Sequence, residues 1–374
     1  MKFWREAEIE DYAVKFLIQL LKIYSPSSRE KEIGAFISDE MERLGFKVKT
    51  DEAGNVIGEL GFGKPEILLC GHMDTVPGYI PVRLVDGKLY GRGAVDAKSS
   101  LAAMILAAHH SARYISEGKI SVVGVVEEES SSRGVKNLID SGVSADYAVF
   151  GEPSNADNII IGYKGCLKIK ITCETQSGHS AAPWMFENSI EKMFELWKII
   201  KEIHFPTEDL KSYFYSLSSC IIGLKGGGSA NKVPGKCQAL IDIRVPPQLT
   251  CMQVYEEIAH RLKRYQAECS KVKVYLKAVG MTEPFETERN NPLVRSLLWA
   301  IKKVRGKTPT LTRKTGTADM NMLGKALKIP IVAYGPGNSS LDHTALEHVE
   351  IKEYLSSIQV LEEFLKKLLS QHKH

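Results

Sequence analysis

The sequence is short of three things that would have narrowed its function at once. No apolar run is long enough to cross a bilayer, which argues against a helical membrane protein. No pair among its seven cysteines (Cys70, Cys166, Cys173, Cys220, Cys237, Cys251 and Cys269) has CxxC or zinc-finger spacing. That argues against a thiolate metal site and leaves buried thiols in a reducing compartment as the expectation. Charge of one sign is not in excess: 49 Lys and Arg stand against 45 Asp and Glu, a net +4. A dedicated nucleic-acid binder carries a much stronger basic footprint. The start, Met1-Lys2-Phe3-Trp4-Arg5-Glu6, lacks the apolar centre of a signal peptide, so the chain is read as cytosolic.

What is present is a composition of 44% apolar and 25% charged residues over 374 positions, enough for two domains or one domain with a large insertion. Four apolar runs end in residues that carry chemistry. Glu66 to Cys70 is followed by Gly71, His72, Met73 and Asp74; Lys119 to Val126 by Glu127, Glu128 and Glu129. Asp146 to Phe150 runs into Gly151, Glu152 and Pro153; Ile329 to Tyr334 into Gly335, Pro336, Gly337 and then Asp342 and His343. Helical periodicity falls between them: Tyr12–Ile23, Ser28–Leu44, Ala97–Glu117, a helix opening at Ser132 to Gly134, Asn291–Val304, Thr317–Leu327 and Ile351–Leu369. Strand–helix alternation of this kind predicts an α/β fold with a mostly parallel sheet, and ligands gathered at the carboxyl ends of its strands.

Between Cys166 and Gly280 the pattern changes to βαββαβ: strands Leu167–Cys173, Cys220–Leu224, Gln238–Arg244 and Val272–Leu276, with helices Ser189–His204 and Thr250–Glu268. This is the ferredoxin-like split, a unit suited to insertion. The expected domains are 1–165 plus 280–374, and an inserted 166–279. The tail His372-Lys373-His374 is expected to be disordered.

His72, Asp96, Glu129, Glu152 and His343 leave one predicted sheet edge. Imidazoles and carboxylates without thiolate suit a hydrolytic zinc centre, or cobalt or manganese in its place. Five donors exceed the needs of one ion and suit two ions sharing a bridging carboxylate. His72 with Asp74 alone would equally describe a core histidine satisfied by a nearby acid, and Glu127–Glu129 a solvated acidic loop. Set after a buried strand, however, three adjacent carboxylates call for a cation.

The stretches Gly71-His72-Met73-Asp74, Gly91-Arg92-Gly93-Ala94-Val95-Asp96, Glu128-Glu129-x-x-Ser132-x-Gly134, Gly151-Glu152-Pro153 and Gly335-Pro336-Gly337 with His343 resemble the co-catalytic zinc exopeptidases. That family includes aminoacylase-1, acetylornithine deacetylase, succinyl-diaminopimelate desuccinylase and the glutamate carboxypeptidases, and the likeness runs through essentially the whole chain. It implies a metallopeptidase catalytic domain with an inserted lid that also makes a homodimer contact. By the resemblance, Asp96 bridges two zinc ions, His72 and Glu152 complete one site, and Glu129 and His343 the other. Asp74 orients His72, Glu128 is the general acid/base, and His179 (in Gly178-His179-Ser180) reaches the reacting carbonyl. Asn231 and Arg244 match positions that grip substrate carboxylates.

Lys314 to Asn321 and Ala333 to His348 are similar to one branch, the LysK hydrolases, which release lysine, or ornithine in archaea, from the γ-carboxyl of the C-terminal Glu of the amino-group carrier protein LysW. That carrier is small and acidic. Lys164, Lys168 and Lys170, with the stretch His260 to Arg264, would steer it or form a merely solvated basic face. Arg244 with the backbone at Gly316 and Thr317 is the candidate for the free α-carboxylate. Asp319 is the candidate for the substrate's side-chain amino group, or a helix-capping acid. The other readings are a small-molecule deacylase or dipeptidase using the same site, and a peptide-binding protein with a dead metal site.

Overall fold

The computed structural model describes residues 6–115 and 117–371; the tail from His372 lies outside them. Two compact units form, one of Met1–Ile161, Thr287–Thr312 and Ala318–His374, the other of Gly162–Glu286 and Arg313–Thr317.

In chain order the first unit begins with α1 (Glu6–Lys22), α2 (Lys31–Arg43), β1 (Lys47–Thr50), β2 (Val56–Phe62) and β3 (Glu66–His72). It continues with α3 (Lys98–Ser111), β4 (Gly118–Val125), α4 (Arg133–Asp140), β5 (Tyr147–Phe150) and β6 (Asn158–Tyr163). The second unit holds β7 (Gly165–Glu174), α5 (Ser189–Lys201), β8 (Ser218–Gly226), β9 (Lys236–Val245), α6 (Cys251–Glu268) and β10 (Lys273–Thr282). The chain returns through α7 (Pro292–Arg305), α8 (Asp319–Leu327), β11 (Ile331–Ala333) and α9 (Ile351–Ser370).

The large sheet runs β1-β2-β4-β3-β5-β11-β6. Its four central strands are parallel, and antiparallel strands flank them on each side. β3 is buried along nearly its whole length, as a strand covered on both faces must be. The register brings the strand ends level. His72 sits opposite Val125, Cys70 opposite Phe150, and Ala333 opposite Phe150. The segments following β3, β4, β5 and β11 therefore emerge on one edge, as the sequence predicts. Gly335 is needed there because a side chain would run into Ser100 and come within 2.8 Å of the Glu152 carbonyl oxygen.

α3 is buried on almost every side, Ser99 and Ser100 included. It stops at Ser111 rather than Glu117, because the chain tightens into one 3-10 turn at Ala112–Tyr114 before entering β4. α2 starts at Lys31, later than the serines at 27 and 28 would suggest. The run Asn158–Tyr163, not foreseen as a strand, forms β6. A small separate sheet of Arg83–Val85, Lys88–Tyr90 and His348–Glu350 was likewise not foreseen. Among the described residues no helix is long and apolar enough to cross a membrane.

The second unit is a four-stranded antiparallel sheet in the order β8-β9-β7-β10, the ferredoxin-like arrangement. Leu167, Ile169 and Ile171 of β7 join residues of α5 and α6 in its core, while Lys168 and Lys170 point outward. All seven cysteines are free thiols; Cys220, on β8, is exposed rather than buried.

Lys164 departs from its expected place on a basic face. It is fully buried, and its ammonium donates to the carbonyls of Tyr213 (3.2 Å) and Ser216 (2.5 Å) and to Ser218 Oγ (3.2 Å). It fastens the chain ahead of β8. The stretch His260 to Arg264 is also partly neutralised, Arg261 pairing with Glu257 and Arg264 with Glu268. Burial lowers the Lys164 pKa to about 8. Between pH 8 and the unfolded value near 10.4 the unfolded chain binds more protons at this site than the folded one, so its contribution to stability rises with pH. The melting-temperature difference between wild type and Lys164→Met is therefore expected to move in favour of wild type from pH 7 to pH 10. Thermal melts at the two pH values check this, and a difference that does not change with pH counts against it.

Candidate metal centre

The first unit gathers the predicted donors around Asp96. His72 ends β3 with its ring buried. Its Nδ1 lies 2.8 Å from the Asp74 carbonyl oxygen. A carbonyl only accepts, so Nδ1 carries a proton, and Nε2 faces the Asp96 Oδ1 acceptor at 3.0 Å. Asp96 Oδ2 lies 3.1 Å from His343 Nε2, and His343 Nε2 lies 2.8 Å from Glu129 Oε1. Donor atoms of His72, Asp96 and Glu129 all fall within 4.8 Å of one another. That is a cluster able to hold a metal ion.

Electrostatics show what the cluster lacks. Burial opposes a charge on His72, but Asp74 and Asp96 outweigh it and hold the imidazole well above its ordinary pKa. His343 is raised to about 9, chiefly by its bond to Asp96. Burial raises Asp96, yet the two imidazoles prevail and keep it low. The other acids go the opposite way. Desolvation, then repulsion from Asp96, raises Glu129 and Glu152. Glu152 also feels His72 and Glu129, though its carboxylate is not among the donor atoms that meet within 4.8 Å. Desolvation and the neighbouring Asp319 raise Glu128. Carboxylates driven toward protonation by mutual repulsion fit a divalent cation, and so does a donor set of imidazole and carboxylate.

Glu128 Oε1 accepts the Asp319 N–H at 3.3 Å. Asp319 opens α8 and is buried; burial lifts its pKa to about 7, outweighing Ser132, which lies near enough to its carboxylate to hold it down. It does not cap its own helix, whose N-cap is Ala318.

Asp74 has its carboxylate Oδ1 3.5 Å from His72 Nδ1, farther than its carbonyl oxygen. Its carboxylate accepts the backbone N–H groups of Glu128 and Glu129, each at 3.1 Å, and the Ser27 hydroxyl at 2.7 Å. Glu347, missed in the sequence, is buried, and its Oε1 accepts from the backbone of Gly93 (3.0 Å), Val95 (2.9 Å) and Asp96 (3.1 Å). Its Oε2 takes Arg92 Nη1 at 2.7 Å, and that guanidinium also reaches the Thr344 carbonyl at 3.2 Å. One buried ion pair thus fixes the loop of Asp96 and the residue following His343. The nearest sequence signal was Arg92 between Gly91 and Gly93, a cation at a strand end otherwise crowded with acids.

The remaining candidates lie in the second unit. His179 is exposed, and its Nδ1 accepts the Ala181 N–H at 3.0 Å. Its proton therefore sits on Nε2, as a donor. Ser180 N donates to the Asn231 carbonyl at 3.1 Å, so His179 and Asn231 share neighbouring loops. Arg244 is paired through Nε with Asp242 Oδ1 at 2.7 Å and reaches Thr317 Oγ1 through Nη1 at 3.4 Å. That brings Arg244, Thr317 and, beside it, Gly316 together.

Comparison with known proteins follows this geometry. Residues 68–367 match the model of peptidase family M20/M25/M40. The chain belongs to that family. Its members are hydrolases, and this chain is read as an amide hydrolase. A LysW-lysine hydrolase of Deinococcus radiodurans is 34% identical over 364 residues, covering 96% of this chain and 97% of that one. A LysW-lysine/LysW-ornithine hydrolase of Saccharolobus islandicus is 34% identical over 367 residues, covering 94% and 97%. Among solved structures, a dinuclear metal-binding peptidase of the M20 family from Bacillus subtilis superposes with a TM-score of 0.78 at 14% identity, covering 98% and 99%.

Proposed function

We propose that the enzyme releases lysine or ornithine from the γ-carboxyl of the C-terminal Glu of the carrier protein LysW, in the cytosol and in lysine or arginine biosynthesis. The observation that carries the chemistry is the chain of hydrogen-bond distances from His72 to Asp96, Asp96 to His343 and His343 to Glu129. The relatives' names support the substrate. Zinc is the favoured metal and cobalt its substitute; two such ions would be held by His72 and Glu152 and by Glu129 and His343, with Asp96 serving both.

Such cations supply Lewis acidity that acidifies water and polarises an amide carbonyl. Glu128, beside the cluster, takes the proton of the attacking water and delivers it to the departing amine nitrogen. His179 offers its Nε2–H to the developing oxyanion. Arg244, Gly316 and Thr317, with Asn231, take the free carboxylate of the amino acid released. The buried carboxylate of Asp319 is suited to its side-chain amino group. The inserted unit, 166–279 in its expected bounds, serves as lid and homodimer contact.

An acidic carrier suits the exposed lysines of that unit. Lys168 and Lys170 of β7 point outward, and Lys277 stands directly opposite Lys170. Like charges placed opposite one another disfavour the free sheet and would be relieved by an anionic partner.

The test is a side-by-side assay of LysW-linked lysine and LysW-linked ornithine against acetylornithine, acetyllysine and succinyl-diaminopimelate. The carrier conjugates are expected to be preferred in kcat/KM by roughly a hundredfold or more, the discrimination that a site built for polar groups achieves. Preference for an acetylated free amino acid would transfer the assignment to a small-molecule deacylase.

A further inference from the structure

Ser27 and Glu30 stand where a helix start would use them, yet neither caps α2. Glu30 occupies the N-cap position, with no side-chain bond to its own helix. The Glu30 side chain is directed instead at the loop after β4, and that of Ser27 at Asp74, after β3. Glu30, itself buried, accepts the backbone N–H of Glu127 at 3.0 Å and that of Ser28 at 3.0 Å, both on Oε1. The next two N–H groups of the same loop, Glu128 and Glu129, go to Asp74. Three consecutive donors are thus each held by a buried carboxylate.

The two carboxylates belong to one assembly. Ser27 Oγ bonds Asp74 Oδ2 at 2.7 Å, and Ser25 Oγ bonds the Met73 carbonyl at 2.8 Å. Ser27 N and Thr75 N exchange backbone bonds with Thr75 and Ser25 at 3.3 and 3.0 Å. The loop itself is not one the chain would adopt freely: Glu127 (φ 58°) and Ser132 (φ 54°) both lie in the left-handed region, which non-glycine residues rarely populate. Such a conformation persists only where its surroundings over-determine it.

We propose that Glu30 is a positioning residue for Glu128, its Oε1 anchoring the first of the three loop N–H groups whose placement aims the Glu128 carboxyl at the reacting water. The inference rests on Glu128 as the proton carrier. It adds a residue nearly a hundred positions upstream that touches neither substrate nor metal. A helix-dipole role at the start of α2 is the competing account, and it predicts a change in stability alone.

Because both bonds fall on Oε1, Glu30→Gln keeps an acceptor in place and Glu30→Leu removes it. The series is measured on whichever amide the wild-type enzyme hydrolyses, so failure of the LysW reading leaves it standing. Glu30→Leu is expected to lower kcat by about 10- to 100-fold, the cost of a small misplacement of a reacting group. KM should stay within about twofold and bound metal should be unchanged. Glu30→Gln should stay within about threefold of wild type, a neutral acceptor being weaker than a charged one. Hydrogen exchange at the Glu127 amide, which needs no substrate, should quicken by roughly tenfold or more in the Leu variant and little in the Gln variant. If the Leu variant does not fold, Glu30→Asp, whose oxygen is withdrawn by one methylene, carries the same expectations. Unchanged exchange at Glu127 overturns the anchor. Quickened exchange with wild-type kcat, a Gln variant as slow as the Leu variant, or a loss that follows metal content each overturns the positioning role.

Discussion

Glu128→Gln is expected to lower kcat by roughly 10³- to 10⁴-fold while the enzyme keeps its metal and its KM. Positioned general acid–base catalysis is worth up to about 10⁴-fold, and glutamine has the shape of glutamate without a group that can take and return a proton. Three features make Glu128 the residue to change. Desolvation and Asp319 push its carboxyl pKa above the ordinary range when no cation is bound, which marks that carboxyl as buried rather than solvated. Its Oε1 is held by the Asp319 N–H, and its backbone by Asp74, so the amide variant should stand in the same place. It is also not among the three residues whose donor atoms meet within 4.8 Å, which are His72, Asp96 and Glu129. Single-turnover rates together with metal analysis of the purified variant decide the matter. Full metal content with lost turnover supports the proton-carrying role; loss of both would make Glu128 a ligand.

The contrast between Glu128 and Glu30 shows which parts of the site were legible in the sequence. A buried parallel strand needs an unbroken apolar run, so β3, β4 and β5 announced themselves, and the His or acids just after each were marked residues. His72 and Glu129 could be named on that pattern, and Asp96 with the help of the glycines before it. Glu30, Asp74 in its second role and Glu347 escaped it because they act on backbone N–H groups. A carboxylate that accepts from a main chain 97 residues away, or 251 residues away, leaves no periodic trace. Lys164 misled for a related reason. Its neighbours Lys168 and Lys170 do face solvent, and nothing local shows that carbonyls at Tyr213 and Ser216 will fold over the first of the three. The inserted unit was legible in outline, since alternating burial along β7 is a strong signal. β6 was not: a short apolar run separated by a single residue from the next strand does not distinguish strand from buried coil.

Chelation is expected to abolish activity completely, and added zinc or cobalt to restore it. The same treatment should lower the melting temperature by several degrees. Asp96, Glu128, Glu129, Glu152 and Asp319 meet two imidazoles in one region of the first unit, and burial raises four of the five acids above their ordinary range. Without a cation that region keeps its charges apart only by holding protons or by opening. A ligand bound at a thousand times its dissociation constant stabilises the folded state by about 4 kcal/mol, and each kcal/mol is worth about 2–4 °C in a unit of 150–250 residues. Asp96→Ala, which removes the oxygens facing both His72 and His343, should reproduce the loss of metal and activity, and added zinc should not restore either. Glu128→Gln should instead show the wild-type response of melting temperature to chelation, because its donors remain. Calorimetry of the three proteins with and without chelator separates the cases. Full turnover after exhaustive chelation, or an Asp96→Ala protein that retains its metal, would remove the centre on which the proposed chemistry depends.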